Sequence, residues 1–241
     1  MSLVRNFSIG TALAIASLTA VIPVAASAEV VVASSGPSAG QFPVGRKLGA
    51  SEQITLKAGD TVTVLGSAGT RVISGAGNHR VGARGAAKRS TFATLTRQRD
   101  AARVRTGAVR GDLTGAAVTR SNLWYVDVTQ SGTMCIADGM AVQLWRPSAE
   151  GAPTYRVGNA SATGDMYLAF AEGSTATDWN LAQMPVEDGA SYTIAAPGGG
   201  SVTEVTFAVL ETQPDNPEDL AAALIAKGCT GQLELLSSAL M

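Results

Sequence analysis

Gln53-Ile54-Thr55-Leu56-Lys57-Ala58-Gly59-Asp60-Thr61-Val62-Thr63-Val64-Leu65 sets the fold class of the chain. Ile54 and Leu56 alternate with polar neighbours, Ala58-Gly59-Asp60 makes a turn, and Val62 and Val64 resume the two-residue period. That period sends successive side chains to opposite faces of a strand, and β-branched residues suit such a half-buried surface. Upstream, Val30 to Ala33 reads as a short strand that ends in the turn cluster Ser34-Ser35-Gly36-Pro37, and Phe42 to Gly45 reads as extended and irregular. Downstream, Ser67-Ala68-Gly69 turns the chain into Arg71 to Ile73, and the glycine-rich, basic run from Gly75 to Gly85 reads as loop, with His79 in an exposed turn. Residues 29–85 are therefore expected to form a small antiparallel β-module, barrel-like or an open sandwich.

Beyond it, residues 86–120 read as a basic helical connector. Ser90 caps a helix running to about Val104, with a thin apolar face of Phe92, Leu95 and Ala102, and Gly107, Gly111 and Gly115 mark a boundary. From residue 121 the strand pattern resumes over Leu123–Val128, the Cys135 region, Ala141–Trp145, Thr154–Val157, Met166–Phe170, Tyr192–Ala195 and Thr203–Leu210. Trp124, Val126 and Val128 are expected on one face, and Pro197-Gly198-Gly199-Gly200 is the strongest hairpin turn. Strands at such regular spacing predict a β-sandwich-like domain over 121–241. Asn216 as N-cap, Pro217 at the first helical position and Gly228 at the end delimit a helix, and a second short one follows over Leu233–Leu240. The expected fold is thus mainly β: a small antiparallel module, a basic connector helix, then a sandwich-like domain with C-terminal helices.

Residues 1–28 carry the pattern of a secretory signal peptide: Arg5 in the n-region, an apolar run from Ile9 to Val24, and small residues at Ala26 and Ala28 around the cleavage point. A retained anchor needs roughly 20 apolar residues, and Pro23 interrupts a shorter run. A periplasmic or secreted protein with no membrane segment after cleavage is the expectation. Cys135 and Cys229 are then expected to pair as a disulfide, since an exported chain meets oxidising conditions and the spacing is not that of a redox-active Cys-x-x-Cys.

Composition splits the exported chain in two. All three Trp and all four Tyr lie beyond residue 120, so the main core is expected there, with the first half as a satellite. Residues 71–120 hold eleven Lys and Arg against Asp100 and Asp112, a net charge of +9, whereas residues 121–241 hold three against fourteen acids, a net of −11. One reading leaves the basic segment solvated or lying on the acidic half of its own chain. The other has Arg80, Arg84, Lys88, Arg89, Arg97, Arg99, Arg103, Arg105 and Arg110 meet an envelope protein or an anionic envelope surface. Nucleic acid is not expected, because the chain is exported and Phe92 is the only aromatic among those cations.

Signals for chemistry are sparse. His79 is the single histidine, no phosphate-binding glycine loop is present, and the acids Glu187-Asp188 and Asp215, Glu218 and Asp219 suit a turn and a helix start. Asp127 stands out in an apolar strand but points away from the Trp124 face. No catalytic, cofactor-binding or metal-ligating residue is assigned. Trp145 and Trp179, at expected strand ends, are the candidates for an exposed glycan contact, and an unrecognised hydrolase is the remaining alternative.

Phe42-Pro43-Val44-Gly45, Ile54-Thr55-Leu56-Lys57-Ala58-Gly59-Asp60, Thr61-Val62-Thr63-Val64-Leu65 and Gly69-Thr70-Arg71 together resemble a FecR-type domain over residues 31–82. Such domains are small periplasmic β-modules of cell-envelope signalling and scaffold proteins in Gram-negative bacteria. The resemblance implies a periplasmic, non-catalytic module that binds a partner. Regulators of that family also carry a cytoplasmic segment and a membrane span, neither of which is read here, so signalling to a sigma factor is not implied. Residues 121–241 resemble only secreted bacterial proteins in general.

Overall fold

The computed structural model describes residues 28–82, 88–97, 120–137, 140–160 and 164–241. Residues 1–27 of the expected signal peptide over 1–28, the connector beyond Arg97, and Arg84, Arg99, Arg103, Arg105 and Arg110 lie outside the described residues. The first half contains β1 (Ala28–Ser35), β2 (Lys47–Gly49), β3 (Gln53–Leu56), β4 (Thr61–Gly66), β5 (Gly69–Ser74) and β6 (Gly77–Arg80). Four of these form an antiparallel sheet in the order β2-β1-β4-β5, and β3 pairs with β6. Residues 77–80, expected as loop, are a strand: His79 sits opposite Ile54, and its ring Nε2 lies 2.9 Å from the Gly75 carbonyl. Val31, Ile54, Leu56, Val62, Val64 and Ile73 close this module's own core.

The second half contains β7 (Tyr125–Asp127), β8 (Gly132–Ala137), β9 (Gln143–Trp145), β10 (Thr154–Asn159), β11 (Met166–Ala169), β12 (Ala176–Asp178), β13 (Ser191–Ala195) and β14 (Val202–Leu210). They form a five-stranded sheet, β11-β10-β13-β14-β8, and a three-stranded one, β12-β9-β7. Val126, Leu144, Val157, Ile194, Val205 and Phe207 fill one core shared by strands of both sheets. Two pairings are parallel, β14 with β8 and β7 with β9. Period-two alternation reveals strands but not their direction, so neither pairing was visible in the sequence.

Helices α1 (Arg89–Thr96), α2 (Pro217–Lys227) and α3 (Thr230–Ala239) form the layer between the halves. The start of α2 follows local rules: Asn216 Oδ1 accepts from the Asp219 N–H at 2.8 Å, and Pro217 occupies the first turn, where its missing N–H costs nothing. At its end Gly228 takes a left-handed φ of 75°, which lets the Gly228 and Cys229 N–H groups bond to Ile225 and Leu224. α2 packs on β1 and β4, α3 on β5 and β8. Consequently Val32 and Leu65 from the first half join Phe92, Leu95, Ala208, Leu224 and Leu236 in a second shared core. The first half is thus more than a satellite. Alternation makes this possible: Val31 and Val64 face the module core, while the next residues, Val32 and Leu65, face the helices.

Trp124 departs from expectation. It packs in the helical core, while Val126 and Val128 pack in the sandwich. The chain crosses from one core to the other between these residues, so their alternation is not a single face.

Cys135 of β8 and Cys229, between α2 and α3, form the expected disulfide, with Cα atoms 5.8 Å apart and 94 residues separating them in sequence. Beside it, the Gln232 side chain is 2% exposed and acts as a substitute strand. Its Oε1 accepts from the Cys135 N–H at 2.6 Å, and its Nε2 donates to the carbonyls of Cys135 (2.9 Å) and Leu123 (3.0 Å). Gln232→Leu removes these partners and leaves buried backbone groups unsatisfied, at a cost of about 2–4 kcal/mol. Urea denaturation of the oxidised protein measures it, and a change below about 0.5 kcal/mol would show the amide to be dispensable.

Asp60 ties the turns of the first half together. Its Oδ1 accepts from the Ser38 N–H (2.8 Å) and its Oδ2 from the Lys57 N–H (2.6 Å). Burial works to raise its pKa, but hydrogen bonds from Ser38 and Lys57 outweigh it, and the net shift is below the ordinary 3.8. A carboxylate with a depressed folded pKa adds stability that is present above its unfolded value and lost as the pH falls through the folded one. Asp60→Asn is therefore expected to lower stability at pH 7 and to flatten the loss of stability below pH 4 that the parent protein shows. Parallel slopes in that acid window, read from thermal melts, would contradict this assignment.

Candidate binding site around helix α1

Helix α1 has eight residues, and a helix that short is marginal in water without tertiary support. Phe92 and Leu95 are buried in the core beside α3. Its C-terminal carbonyls, orphaned by geometry, find partners in the segment preceding β7. The Leu123 N–H donates to the Leu95 carbonyl (2.9 Å), Trp124 Nε1 to that of Thr96 (2.9 Å), and Asn122 Nδ2 to that of Arg97 (2.6 Å). Asn122 Oδ1 in turn accepts from the Trp124 N–H at 2.9 Å. At the other end, the Lys88 N–H donates to Ser67, and Lys88 Nζ donates to the Met241 carbonyl oxygen.

Held in this way, α1 is a rib with a groove on each side. The first groove, of 730 Å³, runs between α1 and the start of α2, with Arg89 and Arg97 on one wall and Asp215 and Glu218 on the other. The second, of 560 Å³, lies against α3 over an apolar floor of Leu95, Leu235 and Ala239, with hydroxyl groups from Ser90, Thr91 and Ser238 at its edge. Arg89 and Arg97 are exposed, and among the described residues neither forms an ion pair. A cation that keeps its hydration at a groove rim is available to an anionic partner at little desolvation cost.

The other expected contacts divide. Arg80 is exposed on β6, where its carbonyl accepts from Arg71 Nη2 at 3.0 Å. Lys88 is engaged by its own chain at Met241. Trp145 and Trp179 are not surface contacts, being 5% and 4% exposed. Trp179 Nε1 donates to the Met184 carbonyl at 2.7 Å, and its ring meets Tyr192 and Phe207 edge to face at 5.3 and 5.7 Å. Trp179 thus belongs to the sandwich core, and Trp145 lies in the central strand of its sheet, paired with Ala176 and Asp127.

Three residues with structural roles carried no sequence signal beyond charge or polarity. Asn122 is the α1 clamp described above. Arg146 is buried, donates to the carbonyls of Ser174, Glu150 and Gly151, and lies 5.0 Å over the Phe170 ring. Its five donors let one side chain close two loops. Arg120 donates to the Tyr125 carbonyl at 3.2 Å; burial pulls its pKa down, and the Asp127 carboxylate opposes that shift. Asp127 itself closes a turn, accepting from the Thr129 N–H (2.9 Å) and hydroxyl (2.6 Å). The notch these two groups line holds 50 Å³, room for water and not for a substrate. Among the described residues no group of three or more His, Cys, Asp or Glu is placed to hold a metal ion, and no helix is long and apolar enough to cross a membrane.

No protein-family model matches the chain, and no curated protein matches it.

Trp124→Phe keeps an aromatic ring in the core but deletes the bond to Thr96 and part of the buried indole, which is expected to cost about 2–4 kcal/mol. Native-state hydrogen exchange should then show faster opening of residues 89–97 with the β13 and β14 amides unchanged. Equal acceleration in both regions would mean that Trp124 supports the whole fold instead of anchoring α1.

Proposed function

We propose that the chain is an exported, non-catalytic binding protein of the cell envelope, a periplasmic scaffold or sensor accessory that meets a negatively charged partner through α1 and the basic stretch around it. The observation that carries this reading is the exposure of Arg89 and Arg97, without an ion pair among the described residues, at the two ends of a rib flanked by grooves. The alternative leaves the basic stretch solvated or lying on its own acidic half, and at these two positions no ion pair with that half forms among the described residues. Asp215 and Glu218 stand across the groove from both arginines, yet neither pairs with them.

Export is supported by the signal-peptide pattern of residues 1–28 and is compatible with the Cys135–Cys229 bridge. The likeness of residues 31–82 to FecR-type domains supports a partner-binding role in the envelope. For the hydrolase alternative no specific observation speaks: the small notch pairs Asp127 with Arg120, and Asp215 and Glu218 stand at the start of α2, where carboxylates suit the helix dipole.

Charge reversal at both rim positions tests the reading. Arg89→Glu with Arg97→Glu is expected to weaken co-sedimentation with phosphatidylglycerol vesicles, or recovery of a crosslinked partner from intact cells, by at least about tenfold at low salt. Binding of the parent protein should fall as salt rises. Recovery that ignores both salt and charge reversal would remove α1 from the contact.

A further inference from the structure

The five-stranded sheet shows two different outer surfaces. At the β8 end, Cys135, Ala137, Ala208 and Leu210 lie under the helices. Toward β11 the same face is open, and it holds the two most exposed of the large apolar side chains in the sheet, Tyr167 at 64% and Val202 at 63%. Strand register puts them in one transverse row. Tyr167 pairs with Arg156, Arg156 with Ala195, and Ala195 with Val202. Three strand spacings separate the ends of that row, about 14 Å.

The row behind it is polar and low. Gly158 pairs with Thr193, and Thr193 with Glu204. A Cβ at Gly158 would stand 3.0 Å from Asp165 Oδ1 and 3.1 Å from Thr193 Oγ1, so glycine keeps open a shelf lined by a carboxylate and a hydroxyl. Asp165 Oδ2 also accepts from Arg156 Nη1 at 3.0 Å, which fixes the guanidinium beside Tyr167.

We infer that this open face, centred on Tyr167, Arg156, Asp165 and Thr193, is a binding site for an oligosaccharide chain. An aromatic face carries negative charge density, and the C–H face of a pyranose ring stacks on it. Flanking hydroxyls of the sugar then need a mixture of donors and acceptors, which Arg156, Asp165 and Thr193 supply. Two acids, Asp165 and the neighbouring Glu204, against the single cation Arg156 disfavour phosphate. Tyr167 and Val202 are kept apart by the polar pair Arg156 and Asp165 and by the small Ala195, so there is no continuous apolar patch for a protein or a membrane. The length of the row suits a chain of sugars better than a single ring. The site is separate from α1 and does not rest on the reading given for it.

Isothermal titration of the oxidised protein with cellohexaose, chitohexaose and maltohexaose tests the assignment. At least one of the three is expected to bind. Tyr167→Ala should weaken that binding by roughly tenfold or more, and Tyr167→Phe by no more than about twofold. Gly158→Val, which raises the floor of the shelf, should weaken it comparably, whereas reversing Arg89 and Arg97 should leave it unchanged. Near-UV circular dichroism confirms that each variant remains folded. No binding of any hexasaccharide at millimolar concentration, or equal binding by Tyr167→Ala, would overturn the assignment.

Discussion

The attachment of α3 to the edge of β8 is the constraint on which the rest of the molecule depends. An edge strand leaves a row of backbone donors and acceptors unpaired, and burying it without partners is costly. Here the Gln232 amide pairs with Cys135 as a neighbouring strand would, and the Cys135–Cys229 bridge fixes the helix hairpin at that same residue. Closing a loop of 94 residues removes on the order of 4–5 kcal/mol of unfolded-state entropy in the loop-closure picture. The covalent link limits how far the hairpin can move, and the amide sets its register along the strand. Neither achieves both.

Everything on the far side of the hairpin inherits its position from that attachment. The first half packs through Val32 and Leu65 onto α2 and α3, and Thr70 of β5 donates its N–H to the Leu240 carbonyl just past the end of α3. Helix α1, too short to be stable alone, is clamped from below by Asn122, Leu123 and Trp124, and Gln232 also holds the carbonyl of Leu123. A single chain of contacts therefore runs from the disulfide to the rib that carries Arg89 and Arg97.

The sequence was legible wherever one local rule decided the outcome. β3, β4 and β14 followed from alternation, and α2 followed from Asn216, Pro217 and Gly228. β2, β6 and β12 did not, because Lys47-Leu48-Gly49, Gly77-Asn78-His79-Arg80 and Ala176-Thr177-Asp178 hold too few apolar residues for a period to show. Trp124 misled because Leu123 and Trp124 are both buried, in a core different from that of Val126. Trp145 and Trp179 misled for another reason. Trp179 turns into the sandwich core against Tyr192 and Phe207, and Trp145 lies in a central strand, and neither placement is encoded by spacing along the chain. Of the candidate contacts, the basic residues are proposed from charge and exposure. The open face around Tyr167 was not legible in the sequence, since Tyr167 is one of several aromatics there and only register reveals its neighbours.

The division of labour along β14 shows how one sheet can anchor and display at once. This strand has nine residues, and only its C-terminal part, at Ala208 and Leu210, lies beneath the helices, while Val202 and Glu204 face solvent. Ala208 sits opposite Cys135, where a small side chain lets the helix hairpin approach closely enough for the bridge to form. Interior packing tolerates little extra volume, so bulk at Ala208 would push against the hairpin, and through it against α1 and the first half. The row from Tyr167 to Val202 lies beyond the helices and is held from below by Tyr192, Ile194 and Val157 in the separate sandwich core. The two proposed contact surfaces thus draw on different cores. A change that loosens the rib need not disturb the sheet face, and each surface is free to be tuned without the other.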